Sequence, residues 1–143
     1  RAFARYKRGA MEPAYEDATN ALTLDPNTAT ALLVRANIDL ARGKPSEALR
    51  ESAQALRIDP TLAWGYVTQG SALLDFGRKE EALRVLDQAV GLAPEDGEAH
   101  LARGRCLAAL GRMELARKDL EKAAALDGTL AQDARAELAK LKP

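Results

Sequence analysis

The chain has 143 residues, enough for one domain with a buried core, and 21 basic and 21 acidic residues give it a formal net charge of zero. It contains 30 alanines and 22 leucines but only 4% aromatic residues, a composition that favours helices and excludes a β-sandwich or β-barrel. Without an excess of positive charge we expect no nucleic-acid partner, and without an apolar run of about 18 residues we expect no direct membrane insertion.

A pattern with a period of 34 residues runs along the chain. The prolines at Pro26, Pro60 and Pro94 follow this spacing, and alanine occupies two further columns of the same register. Since glycine and proline seldom align by accident, the pattern predicts an array of similar structural units. The glycines in register are Gly9, Gly43, Gly77 and Gly111.

Each period predicts two helices. The proline column ends one helix, because the residue before a proline avoids the α region. Thr61 is predicted to cap the next helix, over residues 63–76, which Gly77 ends in a left-handed conformation. The second helix is predicted over residues 79–92, and small alanines let the two helices approach closely. Pro45 suits the first position of the corresponding helix one period earlier.

These residues resemble the tetratricopeptide repeat, a helix pair with the same period. With Pro94 counted as column 32, Gly70, Ala82, Leu86 and Ala89 match the family at columns 8, 20, 24 and 27. The resemblance implies an all-α fold, a right-handed α-solenoid of antiparallel helix pairs that ends in a C-terminal capping helix. It divides the chain into a truncated first repeat (1–28), three complete repeats (29–62, 63–96 and 97–130) and the capping helix (131–143).

The titratable residues predict no reaction, no metal site and no cofactor. His100 and Cys106, the sole residues of their types, are too few for a structural zinc site with about four ligands. We expect both to be packing residues. No nucleophile, base and orienting group share a motif, and no glycine-rich phosphate loop follows a strand. We therefore predict that the chain is not an enzyme.

Two polar columns change together along the repeats. Where column 7 carries arginine, column 23 carries an acid, and where column 7 is Gln69, column 23 is Val85. Because a buried unpaired charge is costly, we interpret this pattern as an ion pair between the two helices of a repeat. Chance agreement is the alternative. The predicted pairs are Arg1 with Asp17, Arg35 with Glu51, and Arg103 with Asp119.

The resemblance implies a concave groove, lined by the first helices of the repeats, that holds a segment of a partner protein. Its mainly apolar residues favour an extended or helical segment with apolar side chains. We expect Trp64 to be an anchor, because Tyr66 already fills the aromatic packing column; the alternative is that Trp64 covers the helix start at residues 27–31. The predicted groove residues are Phe3, Tyr6, Leu33, Asn37, Leu40, Trp64, Val67, Ser71, Leu74, Leu101 and Arg105.

Two ligand modes of the family are not expected here. Members that grip the acidic tail of chaperones use basic and amide side chains; only Asn37 has a counterpart, and Glu98 would repel the ligand. The asparagine ladder of arrays fused to glycosyltransferases is missing, because its column holds Val34, Thr68 and Ala102.

We therefore predict an interaction module or scaffold that binds another protein. The alternative is the recruiting arm of a larger enzyme whose catalytic domain lies outside these residues, and self-association through an open N-terminal edge is a third hypothesis. The single cysteine excludes an internal disulfide, and we expect a soluble protein, cytoplasmic rather than periplasmic. The composition, rich in alanine, arginine and leucine, favours a bacterial source.

Overall fold

The computed structural model describes residues 9–141, which form α-helices and one 3-10 turn, without a β-strand in that range. No helix in this range is long and apolar enough to cross a membrane. The helices are α1 (Met11–Leu24), α2 (Ala29–Ala41), α3 (Pro45–Ile58), α4 (Ala63–Asp75), α5 (Lys79–Leu92), α6 (Gly97–Ala109), α7 (Met113–Leu126) and α8 (Ala131–Ala139), and the 3-10 turn Gly128–Leu130 precedes α8.

Consecutive helices pack as pairs, α2 with α3, α4 with α5 and α6 with α7. A tight turn at a glycine joins the two helices of each pair. At the end of α4, Gly77 has a φ of +77°, and the amide of Arg78 donates a hydrogen bond to the carbonyl of Leu73 at 3.0 Å. A left-handed residue at this point is readily supplied by glycine, as the sequence predicts. Helix α5 has its predicted bounds, and α3 begins at Pro45 as expected.

The start of α4 differs from the expectation for Thr61. The Thr61 hydroxyl donates to Asp59 Oδ1 at 2.6 Å, and the Thr61 amide donates to the same oxygen at 3.0 Å. These two bonds lower the pKa of Asp59. Asp59 therefore organises the turn before the helix, and Leu62 precedes α4 without a side-chain cap. Both Asp and Thr favour helix starts, so composition alone did not show which one accepts the bonds.

The first and second helices of the units form two distinct layers. The first helices α2, α4 and α6 contact one another in series, which we call the inner layer. No comparable contact joins α1, α3, α5 and α7, the outer layer, within residues 9–141. A layer whose helices touch lies on the inside of a curve, because the opposite helices diverge. The fold is therefore an all-α solenoid with the first helices on its inner side.

Close contact between the two helices of a unit depends on small residues. Ala82, Leu86 and Ala89 of α5 have no exposed surface. A Cβ atom at Gly70 of α4 would lie 2.5 Å from Leu86 Cγ, so the backbone of α4 approaches α5 more closely than an alanine would allow. These contacts hold each pair together and keep the columns of the repeat in register.

Helix α8 covers the apolar end of the array. Leu130 and Ala134 are buried in one cluster with Leu101 and Leu120, and Leu138 packs against that cluster. The opposite face of α8 is polar and exposed, at Gln132, Asp133 and Arg135. An amphipathic terminal helix of this kind is a cap that shields the last repeat from water.

Candidate functional site

The side chains predicted to line the groove divide into a buried and an accessible group. Leu33 has no exposed surface, Leu101 is 2% exposed and Val67 is 9% exposed. Leu33 packs in a cluster with Leu32, and Leu101 lies beneath the cap with Leu130. Because neighbouring elements cover them, these three side chains belong to the core and form no open wall. The solvent-accessible surface is therefore narrower than the predicted set.

The remaining predicted residues leave a surface on the inner layer that is partly apolar and partly polar. Phe3 and Tyr6 lie outside the described residues. The accessible members are half-buried and come from α2 and α4, except for one exposed arginine on α6. They are Asn37, Leu40, Trp64, Ser71, Leu74 and Arg105.

Trp64 has a packing role as well as an accessible face. Its side chain packs against two clusters of the preceding unit, one that contains Val34 and one that contains Leu33. The first cluster contains Ala31, so the contact lies at the helix start, residues 27–31, that the alternative named. Tyr66 fills the aromatic packing column, as expected, and its hydroxyl donates to the Pro60 carbonyl at 3.0 Å. Trp64 is thus held in a fixed position while part of its surface stays accessible.

A hydrogen-bond bridge joins α2 to α4 beside this surface. Asn37 Nδ2 donates to the Leu33 carbonyl at 3.1 Å and to Thr68 Oγ1 at 2.6 Å. The buried Thr68 hydroxyl donates in turn to the Trp64 carbonyl at 3.0 Å. The two hydrogens of the Asn37 amide are therefore used within the protein, and its Oδ1 keeps its capacity to accept.

The C-terminal part of the inner layer is polar. Arg105 Nε donates to Glu137 Oε1 of α8 at 3.3 Å, and Lys140 bonds the same oxygen at 3.3 Å. These contacts tie α6 to the cap, and the exposed side chain of Arg105 makes this part of the inner layer polar. The apolar part of the surface is thus confined to α2 and α4.

The predicted ion pairs form wherever both partners are described. Arg35 Nε donates to Glu51 Oε1 at 2.9 Å, and its Nη2 bonds the same oxygen. Arg103 Nε and Nη2 donate to Asp119 Oδ2 and Oδ1 at 2.7 and 2.9 Å. The correlated columns therefore report a physical contact between the two helices of a unit. The pair predicted at Arg1 lies outside the described residues.

His100 packs in the core, as expected, but it is also part of a hydrogen-bonded network. Its Nδ1 lies 2.9 Å from Asp119 Oδ1, and its Nε2 lies 2.8 Å from the Pro94 carbonyl. Arg103 Nη1 extends the network to Asp87 at 3.2 Å. We call His100, Arg103 and Asp119 the C-terminal charge cluster. Sequence reasoning missed the contact of His100 with Asp119, because Tyr66 at the equivalent column bonds the Pro60 carbonyl and faces no acid at the column of Asp119.

Asp39 is a buried carboxylate that sequence reasoning left without a role. It stands at column 11, where the other complete repeats have Leu73 and Leu107, and it is 2% exposed. Its Oδ1 and Glu51 Oε2 are buried without a hydrogen-bond partner among the described residues. Burial, reinforced by the negative charge of Glu51, raises the pKa of Asp39. We call Arg35, Asp39 and Glu51 the N-terminal charge cluster.

Cys106 is a buried packing residue, in agreement with the prediction. Its thiol donates to the Lys79 carbonyl at 3.3 Å, and burial raises the pKa of the thiol. A raised pKa lowers the thiolate fraction and with it the reactivity of the sulfur. Within residues 9–141, no three His, Cys, Asp or Glu side chains come together in a group that could hold a metal ion.

A family model described as "Tetratricopeptide repeat" matches residues 67–135 of the chain. No curated protein matches the chain in sequence. Many solved structures share the fold.

Three solved structures illustrate the likeness. A thermophilic TPR protein of Thermus thermophilus is 27% identical with a TM-score of 0.84, over 97% of this chain and 76% of that one. The first TPR domain of the human RPAP3 protein is 27% identical with a TM-score of 0.73, over 80% and 90%. YrrB, described as a TPR protein with an unusual peptide-binding site, is 27% identical with a TM-score of 0.66, over 96% and 70%.

Proposed function

Because residues 67–135 match the tetratricopeptide-repeat model and TPR proteins share the fold, we propose that the chain is a non-catalytic interaction module that holds a segment of another protein against its inner layer. The observation that carries the proposal is the strip of half-buried apolar side chains at Leu40, Trp64 and Leu74. Large apolar side chains held in place at a surface are typical of interaction sites. The peptide-binding site described for YrrB supports peptide recognition by a related array.

The spacing of the three apolar side chains suggests the kind of segment that fits. Leu40 and Leu74 occupy the same column on neighbouring helices, so they lie side by side. Trp64 precedes Leu74 by ten residues on α4, about 15 Å along the axis at about 1.5 Å per residue. An extended chain covers that distance with about five residues at about 3.3 Å each. The partner segment therefore carries two apolar anchors about five residues apart.

Polar groups between the anchors favour an extended backbone over a helix. Asn37 and Ser71 share one column on α2 and α4, between the tryptophan and the leucines. Asn37 Oδ1 can accept a hydrogen bond from a backbone amide, and the Ser71 hydroxyl can donate one to a backbone carbonyl. The backbone groups of an extended segment are free to make these bonds, whereas a helix uses its own internally.

A displayed library of random peptides tests the proposal. We expect selected binders to carry two apolar residues about five positions apart, which is the distance between Trp64 and Leu74 for an extended chain. Trp64→Ala and Leu74→Ala should each weaken the binding of a selected peptide at least about tenfold, because apolar anchors dominate such interfaces. Fluorescence anisotropy of labelled peptides measures the affinity.

The control variant is Leu24→Ala, since Leu24 is 89% exposed on α1 and lies outside the inner layer. It should leave the affinity unchanged. Trp64→Phe retains an aromatic ring against the preceding unit and separates loss of an anchor from loss of packing, with circular dichroism reporting the fold. Selected peptides that bind the Trp64→Ala and Leu74→Ala variants as well as the natural chain would contradict the proposal.

A further inference from the structure

A shallow groove of about 520 Å³ lies beside the outer-layer helix α3, and none of its lining residues belongs to the surface proposed above. It opens where α3 and α5 diverge, because both helices pack against α4 but make no comparable contact with each other. Its lining residues come from α3 and from the turn between α4 and α5. They are Ser46, Leu49, Arg50, Ala53, Phe76 and Arg78.

The floor of this groove is apolar and fixed. Leu49 packs against the core clusters of two neighbouring units, so its position is set by the array. Phe76 follows the last residue of α4, directly before the left-handed Gly77, and is 45% exposed. An aromatic ring with nearly half of its surface in water gains free energy when a second apolar group covers it. The groove therefore offers a preformed site for one large apolar side chain.

Two arginines flank the floor, and no acidic side chain lines the groove among the described residues. Arg50 on α3 is exposed and has no ion-pair partner in residues 9–141. Arg78 donates to Glu81 at 2.9 and 2.8 Å, but both side chains are about half exposed, so the pair exchanges readily with a competing carboxylate. The charge of the rim is complementary to an acidic ligand.

The next cavity of the outer layer, between α5 and α7, differs from this groove because a carboxylate lines it. Leu83 and Arg112 stand at the columns of Leu49 and Arg78, but Asp87 replaces Ala53. Asp87 accepts a bond from Arg103, and the cavity there is smaller, about 280 Å³. Asp87 and Asp119 line that cavity together with cationic side chains, so a carboxylate-rich ligand would meet two negative charges there. The two cavities of the outer layer thus differ in whether acidic side chains line them.

We propose that the groove between α3 and α5 docks an acidic segment of another protein, which inserts one aromatic or large aliphatic side chain between Leu49 and Phe76. Carboxylates of the segment pair with Arg50 and Arg78. This site shares no lining residue with the inner-layer surface, so its test is independent of the function proposed there. The array can therefore bind two segments at once.

The probe is a fluorescein-labelled nonapeptide of aspartate and glutamate with one central phenylalanine, followed by fluorescence anisotropy. We expect saturable binding that weakens as salt is added, because exposed charges are screened. Replacement of the phenylalanine by alanine, or of the acids by lysines, should weaken the binding at least tenfold. On the protein, Arg50→Glu, Phe76→Ala and Ala53→Asp should each do the same. Ala53→Asp introduces the residue that the chain itself accepts one period later, so the fold should persist.

The matched control is Lys118→Glu, which makes the same change of charge as Arg50→Glu at the equivalent column of the last repeat. It should leave the affinity within twofold, and so should Trp64→Ala with Leu74→Ala on the inner layer. An equal loss with Lys118→Glu would reveal general electrostatic attraction and overturn the proposal. Loss of the acidic peptide in the inner-layer variants would place it on the other side and also overturn it. Undiminished binding to Ala53→Asp would have the same consequence.

Discussion

The N-terminal and C-terminal charge clusters start from the same pair of columns but complete it differently. In the C-terminal cluster, both oxygens of Asp119 accept bonds from Arg103, and His100 lies 2.9 Å from one of them. In the N-terminal cluster, Arg35 bonds one oxygen of Glu51, and the other is buried without a partner among the described residues. The C-terminal charge cluster therefore holds one acid with two partners, whereas the N-terminal charge cluster holds two acids and one arginine.

The difference shows that the same ion pair need not contribute the same free energy of unfolding in each repeat. A buried carboxylate costs free energy unless its oxygens accept hydrogen bonds, and the third residue of each cluster decides whether they do. His100 adds a second group beside Asp119, whereas Asp39 adds a second negative charge beside Glu51. The middle unit avoids the question, because Gln69 and Val85 replace both charges.

Loss of the sole arginine in the N-terminal cluster should have the largest effect. Arg35→Gln leaves Glu51, 3% exposed, without its cation and beside Asp39. Breaking a buried pair on one side costs about 3 kcal/mol or more, and we expect a loss of this size in urea unfolding at pH 7. The added change Glu51→Val, which copies the middle unit, should restore most of it. If the double variant is as unstable as the sum of the two single variants, the pair is not coupled.

The corresponding change in the C-terminal cluster should be milder, because His100 remains beside Asp119. Arg103→Gln is expected to cost about 2 kcal/mol, the range for a buried group that keeps part of its hydrogen bonding. His100→Tyr should cost more stability in the Arg103→Gln background than alone. When only one of the two residues is replaced, the other still bonds Asp119, whereas the double variant leaves Asp119 without either partner. Urea unfolding of the two single variants and the double variant measures this coupling.

A triple variant, His100→Tyr with Arg103→Gln and Asp119→Val, copies the middle unit at all three columns. It should recover most of the stability that Arg103→Gln alone loses. Alkylation of Cys106, which is buried on the same helix, reports where the array opens: it should accelerate in Arg103→Gln and slow again in the triple variant. Unchanged alkylation in Arg103→Gln would mean that the cluster does not hold α6 in place.

The smallest expected effect is a gain in stability. Asp39→Leu, which introduces the residue found at this column in the other complete repeats, should stabilise the chain by about 1 kcal/mol at pH 7, because it removes a buried polar group without a partner. The raised pKa of Asp39 means that its charged form is the costly one. The cost is absent below the unfolded value of about 3.9 and grows as the pH rises through the folded pKa.

The gain from Asp39→Asn, measured against the natural chain by thermal unfolding, should therefore be present at pH 7 and vanish below about pH 4. Asp133→Asn, at an exposed position on α8, is the control and should show no such dependence. A gain that persists at low pH would assign the effect of Asp39 to shape rather than to charge.

Local signals in the sequence predicted the helical array. The spacing of glycines and prolines, the alanine columns and the amphipathic last helix depend on backbone preference and on the period of burial, which neighbouring residues specify. The ion pairs were predictable for a related reason, since a repeated unit brings the same two columns together each time. Arg35 with Glu51 and Arg103 with Asp119 are the two instances that the structure describes.

The tertiary structure decided which of these residues are covered. Leu33 and Leu101 belong to columns predicted to face a groove, yet adjacent elements bury them, and Trp64 packs on the unit before it. Asp39 became a buried acid because of the helices around it, not because of its own neighbours in sequence. Burial is a property of the contacts between units, and a single repeat read by itself contains no record of which side chains the next repeat will cover.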